Sequence, residues 1–120
     1  MYKILVVEDD YKIQELVVEL LLSRNYEVKF ASSGIEGLYI YQNELFDLVI
    51  TDLMMPHIDG YGFIDRIREY DSKTKIIVLS ALDQEETQLK GFDLGIDDYI
   101  CKPFSTRVFL KRVEACLSRL

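Results

Sequence analysis

The chain of 120 residues has the length of one domain, which is long enough to bury a hydrophobic core and too short for two domains of ordinary size. Its residues are 49% hydrophobic and 29% charged, which argues against intrinsic disorder, and its formal net charge of -7 disfavours direct nucleic-acid binding because phosphate contacts need a surplus of Lys and Arg. No apolar run approaches the roughly 20 residues that cross a bilayer, and no signal-peptide pattern precedes the first apolar run. Cys101 and Cys116 are too few and too far apart for a zinc site or a disulfide framework. We therefore expect one cytoplasmic domain over residues 1–120, with no membrane contact.

Short apolar runs alternate with helical periods along the whole chain. Apolar runs of about five residues predict buried parallel strands at residues 3–7, 27–31, 47–51, 75–79 and 98–101. Helical periods follow each run, and the last three predict helices near residues 61–70, 84–94 and 106–119. Strict alternation of strand and helix predicts an α/β fold with a doubly wound parallel sheet. In such a fold the ligand site lies outside the carboxyl ends of the strands, so functional residues are expected there.

Capping residues mark the starts of three predicted helices. Asp10 can cap the first helix, and Ser33 with Glu36 forms a capping box before the second. Ser105 can cap the last helix. One face of the first helix is predicted to pack on the sheet, because its helical period places these apolar residues together: Ile13, Leu16, Val17, Leu20 and Leu21.

Carboxylates follow two of the predicted strands. The first strand is followed by Glu8, Asp9 and Asp10, and the third by Asp52. Adjacent strands lie about 4.8 Å apart, so these carboxylates converge, and such crowding either raises a pKa or recruits a cation. An all-oxygen site of few ligands suits Mg²⁺. We interpret Asp10 as a helix cap and leave Glu8 open as a solvated residue, whereas Asp9 and Asp52 have no evident packing role and are predicted to hold the metal.

Two more polar residues follow the fourth and fifth predicted strands. Lys102 precedes Pro103, and a cis bond between them would aim the ammonium at the carboxylates, although a lysine after a strand is often only solvated. Ser80 offers a hydroxyl to the same edge, or it serves as a turn cap. A nucleophilic carboxylate, a metal, a fixed cation and a hydroxyl donor together supply what transfer of a phosphoryl group to Asp52 requires.

Four separated segments identify a family resemblance. These are ILVVEDD at residues 4–10, DLVITDLMMPHIDG at 47–60, VLSA at 78–81 and GIDDYICKPF at 95–104. In this order and spacing they resemble the receiver domains of bacterial two-component response regulators, and the resemblance covers the whole chain. It implies a flavodoxin-like (βα)5 fold with strand order 2-1-3-4-5. It also implies a phosphoacceptor switch that catalyses only its own phosphorylation and dephosphorylation, with a sensor histidine kinase as the phosphodonor.

The resemblance also implies roles for individual residues. Asp52 is the phosphoacceptor; Asp9, Asp52 and the Met54 carbonyl are Mg²⁺ ligands; and Glu8 acts mostly through a metal-bound water. Lys102 and Ser80 hold the phosphoryl oxygens, and Ser80 moves toward the phosphate as Tyr99, the switch aromatic, turns inward. Alternatively, Tyr99 is an ordinary half-buried strand residue.

The segment at residues 95–104 is most similar to receivers that carry a winged-helix DNA-binding domain. Such receivers control transcription and tend to dimerise through helix four, strand five and helix five. Opposite charges suited to that face are expected from Asp97, Asp98, Lys111 and Arg112, but Gln88 and Val108 stand where that class usually has a basic-acidic pair. His57 is interpreted as an exposed residue without a special role.

Other functions fit the residues less well. A phosphohydrolase of the haloacid-dehalogenase type normally has a second Asp two residues after the nucleophile, where this chain has Met54. A flavin- or nucleotide-binding module would need a Gly-rich phosphate loop after the first strand, where this chain is acidic. A receiver-like module that binds partners without phosphorylation is provisionally excluded, since every residue that phosphorylation requires is present. If Asp52 is phosphorylated, apolar Met54 and Leu82 are expected to exclude the hydrolytic water and prolong the life of the phosphoryl group.

Overall fold

Five parallel strands form one sheet with helices on both faces in the computed structural model, which describes residues 1–56 and 58–120. The strand order is β2-β1-β3-β4-β5, as predicted. The elements in chain order are β1 (Lys3–Val7), α1 (Tyr11–Leu22), β2 (Glu27–Ala31), α2 (Gly34–Asn43), β3 (Leu48–Thr51), α3 (Gly60–Tyr70), β4 (Lys75–Ser80), α4 (Glu85–Asp93), β5 (Asp98–Cys101) and α5 (Thr106–Leu117). The predicted α/β doubly wound fold is therefore confirmed.

Each face of the sheet has its own core. On one face the strands pack against α2 and α3 through a cluster that includes Phe63, Ile64 and Ile67. On the other face they pack against α1 and α5 through a cluster that includes Val17 and Phe109. The central strand β3 is buried along its whole length, which explains why its sequence is a continuous apolar run rather than an alternating one.

Asp10, Ser33 and Ser105 cap the N-termini of α1, α2 and α5, as the sequence predicts. Asp10 Oδ1 accepts hydrogen bonds from the N–H groups of Lys12 and Ile13, at 3.0 and 3.2 Å. Ser33 Oγ accepts from the N–H of Glu36, and Ser105 accepts from the N–H at the third position of α5. These bonds satisfy N–H groups that have no partner within their own helix.

The predicted buried face of α1 needs one correction. Leu16 is 37% exposed, and the buried residues of this helix are Gln14, Val17 and Leu21. Successive helical residues differ by about 100°, so Leu16 lies on the flank of the stripe that runs through the other three. A polar side chain therefore occupies a core position that the apolar pattern did not identify.

None of the described helices has the length and apolar character needed to span a bilayer. His57, which the sequence analysis interprets as exposed, lies outside the described residues.

Candidate functional site

Two carboxylates lie side by side at the carboxyl edge of the sheet because β1 and β3 are adjacent and in register. Val7 is paired with Thr51, so the residues that follow, Glu8 and Asp52, lie next to each other. Glu8 is 3% exposed and Asp52 is 6% exposed. Carboxylate oxygens of Glu8, Asp9 and Asp52 all lie within 4.8 Å of one another, with Asp9 on the solvent side. The predicted convergence of acidic residues is therefore observed.

A cation from the far end of the chain completes the cluster. Lys102 Nζ lies 2.6 Å from Glu8 Oε1 and 2.9 Å from Asp52 Oδ2. Its side chain is only 15% exposed, so this ammonium is not simply solvated. The bond from Lys102 to Pro103 is cis, as the sequence analysis anticipated.

The loop after β3 fixes the other side of the Asp52 carboxylate. Asp52 Oδ1 accepts hydrogen bonds from the N–H groups of Leu53 and Met54, at 2.6 and 3.1 Å. The loop returns to the same place at Gly60, whose N–H donates to Leu53 O at 3.0 Å. A Cβ atom at Gly60 would lie 2.4 Å from Asp52 O and from Leu53 Cα, so this close approach requires glycine.

Burial and charge pairing set the protonation of the cluster. Burial raises the pKa of Glu8 from 4.5 to about 7, although hydrogen bonds from Lys102 and the Asp10 N–H lower it. For Lys102, burial by itself lowers the pKa, but the hydrogen bonds to Glu8 and Asp52 outweigh burial and hold the pKa above its usual value. The site therefore keeps its ammonium at neutral pH, while the buried Glu8 carboxyl is easily protonated.

Ser80 and Tyr99 lie at the neighbouring end of the sheet, in contact with the loop after β4. Ser80 is fully buried, and its Oγ accepts a hydrogen bond from the Leu82 N–H at 3.2 Å. Tyr99 is 5% exposed, and its hydroxyl donates to Leu82 O at 2.5 Å. Burial raises the pKa of Tyr99, although the neighbouring Ser80 side chain offsets part of that rise. In this structure Ser80 caps a turn, which is the simpler of its two predicted roles, and Tyr99 lies inward.

Gln14, which is buried beside the acidic cluster, was not predicted from the sequence. Its Nε2 donates to Glu8 O at 2.9 Å and to Ala31 O at 3.0 Å, and it lies 3.3 Å from Ser32 Oγ. The available signal was its spacing, because Gln14 stands three residues before Val17 on the buried stripe of α1.

Tyr61 is a second residue whose contacts were not predicted. Its hydroxyl donates to Thr87 O at 3.1 Å, and Lys90 Nζ lies 4.2 Å from the centre of its ring. Tyr61 belongs to α3 and its two partners belong to α4, while Gln84, the residue that precedes α4, makes no capping bond with its side chain. Tyr61 therefore ties α4 to the rest of the domain.

The charges expected on the face of α4, β5 and α5 are arranged differently from the prediction. Asp97 accepts from the Ile76 N–H at 2.8 Å and pairs with Arg68 and Lys75, so its carboxylate is already engaged within the chain. Arg112 pairs with Asp98 of the same chain at 3.0 Å. Lys111 and Arg112 are exposed on α5, as expected. Apolar side chains are exposed beside them, namely Leu89, Phe92 and Val108. Asp97 is thus a structural residue, because the start of β4 needs its carboxylate as a hydrogen-bond acceptor.

The family model of the response regulator receiver domain matches residues 4–114. This chain belongs to the response regulator receiver domain family. The predicted membership is confirmed, and it agrees with the order and geometry of the site, because Glu8, Asp9, Asp52, Ser80 and Lys102 all lie at or beside the carboxyl edge of the sheet.

Individual relatives support the same assignment. The chain is 41% identical over 117 residues to a protein of Guillardia theta named as probable transcriptional regulator ycf27, covering 98% of this chain and 46% of that protein. It is 37% identical over 117 residues to the uncharacterized transcriptional regulatory protein YclJ of Bacillus subtilis, covering 98% and 51%. The non-phosphorylated HemR receiver domain of Leptospira biflexa superposes with a TM-score of 0.93 at 33% identity, covering 98% of this chain and 95% of that one. The chain spans about half the length of the curated relatives it matches.

Receiver domains bind Mg²⁺ in an acidic pocket, and the residues of this receiver domain fit such an ion. Oxygen ligands are the ones that Mg²⁺ prefers, and three carboxylates converge here. Two of them are buried, and the raised pKa of Glu8 reports the cost of burying its negative charge. A divalent cation would offset that cost, so the donor set and its electrostatics both suit the metal.

Proposed function

We propose that this receiver domain accepts a phosphoryl group on Asp52 from the phosphohistidine of a sensor kinase. The observation that carries the proposal is the position of Lys102 Nζ, 2.9 Å from Asp52 Oδ2 and 2.6 Å from Glu8 Oε1. Burying a lysine between two carboxylates costs desolvation energy. A buried ion pair often stabilises a protein no more than well-packed apolar side chains of similar volume would. Such an arrangement is suited to receiving a group that carries negative charge.

The chemical step is a transfer from nitrogen to oxygen. An Asp52 carboxylate oxygen attacks the phosphorus in line, the bond from phosphorus to the imidazole nitrogen breaks, and the electron pair stays on the imidazole. The product is an acyl phosphate. Lys102 exchanges its carboxylate partner for a phosphoryl oxygen, while the Leu53 and Met54 N–H groups keep the other Asp52 oxygen in place.

Asp9, Asp52 and the carbonyl of Met54 would hold the Mg²⁺ ion, and Glu8 would act mainly through a bound water. When bound, the ion neutralises charge on the phosphoryl oxygens. Asp9 suits this role because it is exposed yet its carboxylate lies within 4.8 Å of both buried carboxylates. Asp10 is excluded from the ligand set, since its Oδ1 already caps α1.

Phosphorylation would shift an equilibrium between two arrangements of the loop after β4. Ser80 Oγ would leave the Leu82 N–H and donate to a phosphoryl oxygen, which moves the loop whose Leu82 carbonyl also holds Tyr99. Because Leu82 is shared by Ser80 and Tyr99, a change at the phosphate reaches α4 and β5. Beryllium fluoride, which stands in for the phosphoryl group, should therefore shift the amide resonances of α4 and β5, and unchanged resonances there would contradict this coupling.

The output of the switch is proposed from the relatives, which are named as transcriptional regulators and are about twice as long. We expect control of transcription through a domain other than this one. A homodimer through α4, β5 and α5 would bury Leu89, Phe92 and Val108, so its affinity should depend less on salt than an interface made of charge pairs.

Intact-mass measurement after incubation with Mg²⁺ and acetyl phosphate tests the proposal. The wild-type chain should gain one phosphoryl group, and Asp52→Asn should gain none. Asp10→Asn, which alters a carboxylate at the same edge, is the matched control and should gain the group as wild type does. A phosphoryl group that persists in Asp52→Asn would refute the assignment.

A further inference from the structure

Four contacts fix Glu8, and one of them comes from Gln14. The main-chain N–H of Glu8 donates to Ala31 O at 3.1 Å, and its main-chain carbonyl accepts from Gln14 Nε2 at 2.9 Å. Its side-chain oxygens accept from Lys102 and from the Asp10 N–H. Both the backbone and the carboxylate of Glu8 are thereby held in place.

Gln14 extends the pairing of β1 and β2 beyond the end of the sheet. The last paired residues of these strands are Val7 and Ala31, after which the two segments continue separately to α1 and α2. Gln14 Nε2 spans this gap by donating to Glu8 O and to Ala31 O, and it also approaches Ser32 Oγ. One amide therefore joins the loop that carries Asp9 to the loop after β2.

The chemistry of the side chain suits this position. Gln14 is 5% exposed, and a buried carbonyl oxygen without a donor costs free energy. An amide supplies two N–H donors without adding charge, whereas Lys or Arg would add a cation beside the metal ligands and Glu would place an acceptor against two carbonyl oxygens.

We infer that Gln14 is a positioning residue for the metal site, holding the main chain of Glu8 so that the carboxylate of Asp9 stands at the distance from Asp52 that Mg²⁺ requires. This inference rests on the proposed phosphoacceptor function. Residues that orient metal ligands through hydrogen bonds typically change metal affinity by about 10-fold or more when they are replaced.

Gln14→Met tests the inference because it removes both donors at nearly constant volume. Mg²⁺ affinity, measured by calorimetric titration, should fall about 10-fold. The phosphorylation rate with acetyl phosphate should need correspondingly more Mg²⁺ for half its maximum, while the maximum at saturating Mg²⁺ matches wild type. Val17→Ala, which shortens another buried side chain of α1, is the control for lost stability and should keep the wild-type affinity.

The possible outcomes separate this inference from the proposed function. Wild-type affinity in Gln14→Met, or an equal loss in Val17→Ala, would overturn the inference and leave the phosphoacceptor function standing. A wild-type chain that neither binds Mg²⁺ nor gains a phosphoryl group would overturn both. If Gln14→Met does not fold, Gln14→Asn keeps the amide but is one methylene too short to reach Glu8 O, and it should weaken Mg²⁺ binding in the same direction.

Discussion

Lys102 Nζ lies 2.6 Å from Glu8 Oε1, so the cation that follows the last strand is paired with the carboxylate that follows the first. The two residues are 94 positions apart in the chain, and the order of the strands brings them to one edge. At neutral pH Glu8 is less fully ionised than an exposed carboxylate paired with a lysine would be, because burial raises the pKa of Glu8 to about 7.

The pH dependence of stability should report the raised pKa of Glu8. The pKa of this carboxyl in the folded metal-free protein is about 7, above its ordinary value of 4.5, so the folded state binds more protons between these values. The stability that the folded protein gains by binding the Glu8 proton more tightly is fully present below pH 4.5. It is lost as the pH rises through about 7. Urea unfolding of wild type and Glu8→Gln in metal-free buffer should therefore show wild type losing stability relative to the variant over this range. The exposed Glu15→Gln variant should follow wild type, and a difference between wild type and Glu8→Gln that does not change with pH would contradict the assignment.

Adjacent acidic residues after β1 should separate into a metal ligand and a helix cap. Asp9→Ala should weaken Mg²⁺ binding and slow phosphorylation with little change in the free energy of unfolding, because its carboxylate is exposed. Asp10→Ala should lose about 1 kcal/mol of stability and keep its Mg²⁺ affinity, since it caps α1. Calorimetric titration and urea unfolding measure the two effects. An equal loss of affinity in both variants would show that the cluster is divided wrongly.

Glycine should be required at the start of α3. In Gly60→Ala the new methyl group would lie 2.4 Å from Asp52 O and Leu53 Cα, and backbone atoms can relieve this overlap only by moving the loop beside Asp52. We expect a loss of about 1–3 kcal/mol in the free energy of unfolding. Gly62→Ala is the matched control, since the nearest atom to its methyl group would be in the Ile58 side chain, at 3.2 Å, and not in the backbone. Urea unfolding should show a much smaller change there, and equal effects would argue against the close approach at Gly60.

The lifetime of the phosphoryl group should depend on Met54 and Leu82, which stand two residues after Asp52 and Ser80. Met54 is 55% exposed, and Leu82 is partly buried against the core. Neither side chain can orient a water behind the phosphorus. The double variant Met54→Asn with Leu82→Glu should therefore lose phosphate at least about 10-fold faster, which corresponds to an activation barrier lower by about 1.4 kcal/mol. Decay can be followed by intact mass after removal of the donor. Leu89→Glu, an exposed apolar-to-acidic change on α4, should decay as wild type does, and unchanged decay in the double variant would refute water exclusion.

Local patterns were sufficient to predict the fold and the edge where the site lies. The five apolar runs end where β1 to β5 end or within one residue of it, because buried parallel strands need continuous apolar sequence. The position of Asp9 and Asp52 followed from this pattern, since residues after adjacent parallel strands must meet. Lys102 also reached the predicted edge, and the family resemblance supplied its role.

Contacts between distant segments were not predictable from those patterns. Gln14 is polar, so apolar periodicity favoured Leu16 for the buried face of α1, although Gln14 Nε2 donates to two carbonyl oxygens at the end of the sheet. Asp97 was assigned to a partner surface because its charge was visible in the sequence, whereas the groups that donate to its carboxylate are brought near by folding, including the Ile76 N–H. Both errors concern hydrogen bonds whose partners are defined only by the tertiary structure.

Direct location of the phosphoryl group tests whether Asp52 is the phosphoacceptor. The wild-type chain is phosphorylated with acetyl phosphate and Mg²⁺, treated with borohydride, which reduces an aspartyl phosphate to homoserine, and digested for peptide mapping by mass spectrometry. We expect homoserine at position 52, with Glu8, Asp9 and Asp10 unmodified. Modification at another carboxylate, or a phosphoryl group on Ser80 with Asp52 unchanged, would contradict it.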